Sequence, residues 1–413
     1  MNFDILIDRT GTEAVKWEET DKTGGGYPVI PLWVADMDFP CPPAVTEALR
    51  KRAEHPVYGY TRLPPSFFET LVSWYRTRYQ VNLEPDDFLA GPGTVPSLGI
   101  TVRAFSRPGD GVLILSPVYH PFFDMIRSNG REAVEVPLIP DERGRYHFDE
   151  EALEQGLAAA KNRGLQVPMT LFCSPHNPGG AVWDREELAL FLGFTRRHGM
   201  TVVSDEIHGD FVYSPKTFCS LASFPEHVER VIVVSGANKT FNLGGLHVSH
   251  FIVRDAKLTR ALKEGCRAMA FHGPDIFSRT AAEAAYREGG PWFAELKAYI
   301  EGNITRAVAA INTGIPGLRA CKPEGTYLIW VDASALIRRG GFRNDAEFTV
   351  RLEEQGRVKV TPGSAFGSRG QGFIRINAAC PREQLLEGVF RIKAWGRDQI
   401  RLPGAGSPES TQA

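Results

Sequence analysis

Five short apolar runs constrain the fold of this chain more than anything else in it. VLIL (112–115), MTLFC (169–173), TVVS (201–204), VIVVS (231–235) and VSHFIV (248–253) each have the length of a buried strand, and several are β-branched. Among them lie stretches with helical spacing. Those at 43–53 and 64–79 have proline near the start, and 184–198 has Asp184 as its cap. Strands alternating with helices predict an α/β fold with a mainly parallel sheet. Past about residue 290 the pattern changes, with a helix over 291–312, then TYLIWVD (326–332), RVKVTPGSAFG (357–367) and FIRIN (373–377), which predicts a smaller α+β unit. The expected organisation is an N-terminal segment, 1–50, packing on that unit, a large domain over 51–288, a small domain over 289–396 and a loose Gly-, Pro- and Ser-rich tail over 397–413.

Charge and cysteine usage exclude several functions. The chain has 413 residues with 47 Lys+Arg against 49 Asp+Glu, so no excess of positive charge favours nucleic acid or an anionic membrane. No apolar run approaches the roughly eighteen residues that span a bilayer, and the opening MNFDILIDRT carries Asp4 and Asp8 where a signal peptide has lysines and an apolar stretch. Cys41, Cys173, Cys219, Cys266, Cys321 and Cys380 form no C-x-x-C pair and have no closely spaced histidine, which argues against a disulfide framework and against a bound metal. The expected setting is a reducing cytoplasm.

In open α/β sheets the ligand lies outside the carboxyl ends of the strands. Here those ends carry SPVYHPF, SPHNPGG, DEIHGD and GANKTFN, which place Tyr119, Asn177, Asp205 with His208, and Lys239 around one polar, aromatic ligand. Each has an ordinary explanation when taken singly: a solvated lysine, a carboxylate that caps a helix, an Asn-Pro turn, a tyrosine at the core edge. Their joint order at successive strand ends is what points to a site.

That order resembles the fold-type I pyridoxal 5′-phosphate (PLP) enzymes, and within them the cystathionine β-lyase-like branch called the MalY/PatB family. The resemblance is carried by WVADMDFP (33–40), YGYT (58–61), PVYHPF (117–122), PHNPGG (175–180), SDEIHGD (204–210), NKTFNLGGL (238–246) and FIRINAACPR (373–382), in register over about nine tenths of the chain.

The resemblance implies a role for each matching residue. Lys239 holds the PLP aldehyde as a Schiff base and moves the Cα proton, while Asp205 faces the pyridine nitrogen and keeps its proton there. Asn177 and His208 donate to the ring oxygen O3′, and Tyr119 stacks on the ring. Gly93, Thr94 and Val95, in the turn that enters a helix, cradle the phosphate with Ser235 adding a hydroxyl. Tyr60 reaches the partner subunit's phosphate, which implies a homodimer with shared sites. Arg375 clamps the substrate carboxylate, and Asp36 joins it in substrate binding. Three positions depart from the pattern: Asn238 replaces the usual serine before the lysine, Gly179 stands where threonine is common, and His247 stands where many aminotransferases carry a phosphate-binding arginine. The last departure tilts the expectation away from amino transfer.

The implied activity is β-elimination from cystathionine or another S-substituted cysteine, giving thiol, pyruvate and ammonia. Amino transfer and a decarboxylating or oxidative reaction on a cysteine conjugate are the enzymatic alternatives. A PLP-binding regulatory protein is the alternative outside catalysis.

Overall fold

The β-branched runs become the middle of a seven-stranded sheet. In the computed structural model the described residues are 1–20, 28–314 and 317–401. Across the sheet the strands run Phe88–Gly91, Ser249–Ile252, Val231–Ser235, Thr201–Asp205, Met169–Cys173, Gly111–Ser116 and Glu132–Pro137. From Val231–Ser235 to Glu132–Pro137 every neighbouring pair is parallel. Ser249–Ile252 alone is reversed, antiparallel to both its neighbours. The α/β class expected from the alternation is therefore the observed one. Val112, Ile114, Leu171, Val203, Ile232 and Val234 are fully buried in a core on one face, with Leu113, Phe172, Val202 and Val233 in a core on the other. Strands covered on both faces read as unbroken apolar runs.

The helices follow their start signals. Asp184 accepts from Glu187 N at 2.9 Å while the Glu187 carboxylate accepts from Asp184 N at 2.9 Å, a reciprocal cap on helix Arg185–Arg197. Helix Pro65–Tyr79 begins on a proline and ends at Gln80 with φ 58°. No helix among the described residues is long and apolar enough to cross a membrane.

A second sheet, all antiparallel, runs Arg319–Ala320, Leu328–Asp332, Phe373–Asn377 and Thr361–Pro362. RVKVTPGSAFG is not one strand. It breaks into the pairs Val358–Lys359 and Thr361–Pro362 and then a tight turn over Gly363–Phe366. Ile30–Pro31 pairs in parallel with Val358–Lys359, which carries the N-terminal chain alongside this unit. The expected tail also needs correcting at its start, because helix Arg382–Arg401 runs through residue 397 with Ile400 packed against the core. Residues 402–413 of that expectation lie outside the described residues.

Candidate active site at the strand ends

Five strands of the large sheet deliver their last or following residues to one cavity of about 230 Å³. Its wall includes Gly93, Thr94, Val95, Tyr119, Asn177, Asp205, His208 and Lys239. Asp205 is the last residue of its strand, level with Cys173 on one neighbour and Val234 on the other. Lys239 sits in the single turn Ala237–Thr240 that follows Val231–Ser235. Gly93 precedes helix Thr94–Phe105 with φ 105°, a conformation that favours glycine, and the start of that helix, Thr94 and Val95, lines the cavity.

Burial dominates the electrostatics of this cavity. Burial pushes Asp205 up to about 7, even though the Ile207 N–H at 3.1 Å and the Lys239 charge both pull it down. Burial lowers Lys239 to about 8; Asp36 and Asp205 oppose the shift and Arg375 reinforces it. The Lys239 Nζ donates to the Ala35 carbonyl at 2.5 Å. Tyr119 rises to about 12, first through burial and then through Asp205. His208 is driven well below its ordinary value by burial and by the Lys239 and Arg375 charges, so its imidazole is neutral.

PLP fits these residues. Thr94 Oγ1, His208 Nδ1 and Asn238 Oδ1 are buried without a hydrogen-bond partner. Such atoms are costly unless a ligand satisfies them. A protonated ring nitrogen answers the need of a buried carboxyl group that has one backbone donor. Asn177 lines the cavity and its Oδ1 accepts from Arg375 Nη1 at 3.1 Å, which leaves its Nδ2 to donate.

Arg375 is 3% exposed and stands behind Asn177, with its guanidinium 4.8 Å from the centre of the Phe366 ring. Nη2 donates to the Trp33 carbonyl at 3.0 Å and to Thr361 Oγ1 at 3.4 Å, while Nε has no partner.

Three of the residues singled out in the sequence stand elsewhere. The Ser235 hydroxyl is turned to the Glu206 carbonyl at 3.3 Å and is not part of the cavity wall. Asp36 is engaged by Arg9 at 2.9 Å, and it is the neighbouring Ala35 that reaches the cavity. Tyr60 is fully exposed and does not line this chain's own cavity.

Sequence reading passed over Ala35, Pro96, Cys173, Ile207 and Gly244, which also line the cavity. Asn238 and His247 line it too, and their departure from the family pattern was the signal for them. The Gly179 departure has a local cause: a Cβ there would lie 2.4 Å from the Tyr146 ring, so this packing admits only glycine.

Residues 27–392 match the family described as aminotransferase class I and II. The chain is 38% identical over 395 residues to cystathionine beta-lyase PatB of Bacillus subtilis (strain 168), covering 95% of this chain and 99% of that protein. It is 31% identical over 390 residues to protein MalY of Escherichia coli (strain K12), covering 94% and 97%. The crystal structure of cystalysin from Treponema denticola, which contains a pyridoxal 5′-phosphate cofactor, matches with a TM-score of 0.88 at 30% identity, covering 96% of this chain and 99% of that one.

Proposed function

The chain belongs to the aminotransferase class I and II family, and from that premise we propose that it is a PLP-dependent carbon–sulfur β-lyase, releasing thiol, pyruvate and ammonia from cystathionine or another S-substituted cysteine. The observation that carries this reading is the full-length similarity to a protein named cystathionine beta-lyase, together with a cavity lined by Lys239 and Asp205 and backed by Arg375, which is hydrogen-bonded to Asn177 of its wall.

When bound, PLP supplies an electron sink for the charge left on Cα as its proton departs. Lys239 would hold the cofactor through its amine, and the same amine would take the Cα proton; an amine lowered to about 8 is neutral often enough near neutral pH to do so. Arg375 fixes the substrate carboxylate, which turns the Cα–H bond into line for removal. Asp205 would hold the proton on the ring nitrogen. Asn177 and His208 would serve as donors to the ring oxygen, and Tyr119 would pack on the ring. The N-terminus of helix Thr94–Phe105, with Gly93, Thr94 and Val95, holds the phosphate. Ser235 has no part in this reading, because its hydroxyl is already committed to a carbonyl. With sulfur on Cβ, the electron pair left at Cα would become a Cα–Cβ double bond as the Cβ–S bond breaks and thiolate leaves, and water would hydrolyse the released enamine to pyruvate and ammonia.

We further propose a homodimer in which Tyr60 serves the partner subunit's phosphate; the fully exposed Tyr60 ring supports it. The two sheets support dividing the chain into a large unit, 51–288, that carries the cofactor and a small unit, 289–396, that carries Arg375. Six unpaired cysteines support a cytoplasmic setting.

Amino transfer is the second reading, favoured by the description of the family. Assaying thiol, pyruvate, keto acid and carbon dioxide together, with cystathionine, S-alkylcysteines and amino-donor pairs, decides between them. Thiol and pyruvate in equal amounts support the lyase. Keto acid formation without thiol overturns it in favour of amino transfer, and carbon dioxide release assigns a decarboxylating reaction.

A further inference from the structure

Residues 32–40 adopt neither helix nor strand, yet the strap they form touches both ends of the proposed substrate site. Its path is fixed by side chains bound to its carbonyls. Trp33 O accepts from Arg375, and Ala35 O accepts from Lys239 and from the buried Tyr327 hydroxyl at 2.8 Å. Asn377 Nδ2 donates to Val34 O and Asp36 O at 2.6 Å each, and Asn242 Nδ2 donates to Met37 O at 3.0 Å and Phe39 O at 2.8 Å. The carbonyls that meet the two reactive cations are thus two residues apart on one irregular segment, and a shift of that segment alters Arg375 directly.

The far side of the strap is held by charge. Lys16 is 0% exposed, and its Nζ lies 2.7 Å from Asp38 Oδ2 and 3.6 Å from Asp36 Oδ1. Arg9 bridges the same two carboxylates, at 2.8 Å from Asp38 Oδ1 and 2.9 Å from Asp36 Oδ2. Trp17 Nε1 donates to Asp38 at 3.0 Å, and Trp33 Nε1 donates to the Lys16 carbonyl at 3.0 Å, so the N-terminal segment and the strap clasp each other in both directions. Burial alone raises the Asp38 carboxyl, but Lys16, Trp17 and Arg9 together hold it below its ordinary value. A fully buried ion pair is a weak source of stability, since a well-packed apolar pair of similar volume often does as well. What it supplies here is direction: it admits one placement of the strap.

We propose that the buried Lys16–Asp38 pair, braced by Arg9, is a positioning device for the reaction, holding residues 33–37 so that the Trp33 carbonyl sets the attitude of Arg375 toward the substrate carboxylate. Lys16 acts through the strap and touches neither substrate nor cofactor. The inference rests on the reading of Arg375 as the carboxylate ligand, and its test separates the two.

The test compares wild-type holoenzyme with Lys16→Met and, in case that variant does not fold, with Asp38→Asn, a same-size change that keeps one oxygen to accept from Arg9 and Trp17 and replaces the acceptor of Lys16 with a donor. Equilibrium binding of L-alanine, which has no leaving group on Cβ, and of ethylamine, its carboxylate-free counterpart, is followed through cofactor absorbance. The dissociation constant for L-alanine is expected to rise roughly three- to thirty-fold, with that for ethylamine and the cofactor content unchanged. The kcat/KM for an S-substituted cysteine falls in proportion. Equal weakening of both ligands, or no weakening of either, in a folded variant overturns the positioning role. A wild-type enzyme that does not distinguish L-alanine from ethylamine overturns the reading of Arg375 instead.

Discussion

Replacing Arg375 with lysine keeps a positive charge at the carboxylate site and removes its planar geometry. A guanidinium has five N–H donors. In this structure three of them are directed to Asn177 Oδ1, the Trp33 carbonyl and Thr361 Oγ1, and the two left over, Nε–H and one Nη1–H, point in different directions, so a carboxylate held by two parallel donors displaces at least one Nη2 contact, such as the longest, to Thr361 Oγ1 at 3.4 Å. A lysine ammonium cannot present two parallel donors, so at least one hydrogen bond to the carboxylate is lost. A hydrogen bond to a charged group contributes about 1.5–3 kcal/mol, so kcat/KM for an S-substituted cysteine falls about 10- to 150-fold. Removing the guanidinium altogether with Arg375→Met costs more, because the Trp33 carbonyl and Asn177 also lose their partner in a buried site. Cofactor content stays at the wild-type level, since Arg375 stands behind the cavity wall. Thiol release measured against substrate concentration, with bound cofactor read from absorbance, checks both statements. A lysine variant with unchanged kcat/KM, or one whose loss tracks a parallel loss of cofactor, refutes the carboxylate clamp.

Two further outcomes follow from burial and from geometry. Asp205 is raised from 3.8, and Glu206 from 4.5, to about 7 each, so across that window the folded chain binds more protons than the unfolded one. The stability of the cofactor-free protein therefore falls as pH rises from about 4 to about 7. Thermal midpoints across that range check this, and Asp205→Asn, which removes one of the two groups, flattens the fall; an equal slope in the variant contradicts the assignment. For the shared site, mixing inactive Tyr60→Phe and Lys239→Ala subunits restores part of the activity, because one site of each mixed dimer keeps both residues. A monomer in sedimentation, or no recovery after verified subunit exchange, rules that arrangement out.

The sequence revealed the centre of the large sheet better than its edges, for a physical reason. Met169–Cys173 and Val231–Ser235 are buried on both faces and read as unbroken apolar runs. The two edge strands, Phe88–Gly91 and Glu132–Pro137, are only partly covered, and EAVEVP alternates charge with valine and alanine. Nothing in VSHFIV told that its strand runs against its neighbours. The loose composition near the C-terminus concealed a helix whose Trp395 and Ile400 pack on the core. At the site, Tyr119, Asn177, Asp205 and Lys239 were legible because each follows a recognisable strand. The clasp of Lys16 on Asp38 was not, because it joins two stretches 22 residues apart and the strap belongs to no periodic element. The turn of the Ser235 hydroxyl to the Glu206 carbonyl was not legible, because a hydroxyl at a strand end says nothing about which way it points.

The whole account depends on a single lysine holding the cofactor. Borohydride reduction of the holoenzyme fixes the cofactor to the residue that carries it, and peptide mapping by mass then locates the adduct. The account predicts one labelled site, Lys239, and no adduct in Lys239→Ala treated in the same way. Label on any other lysine contradicts it.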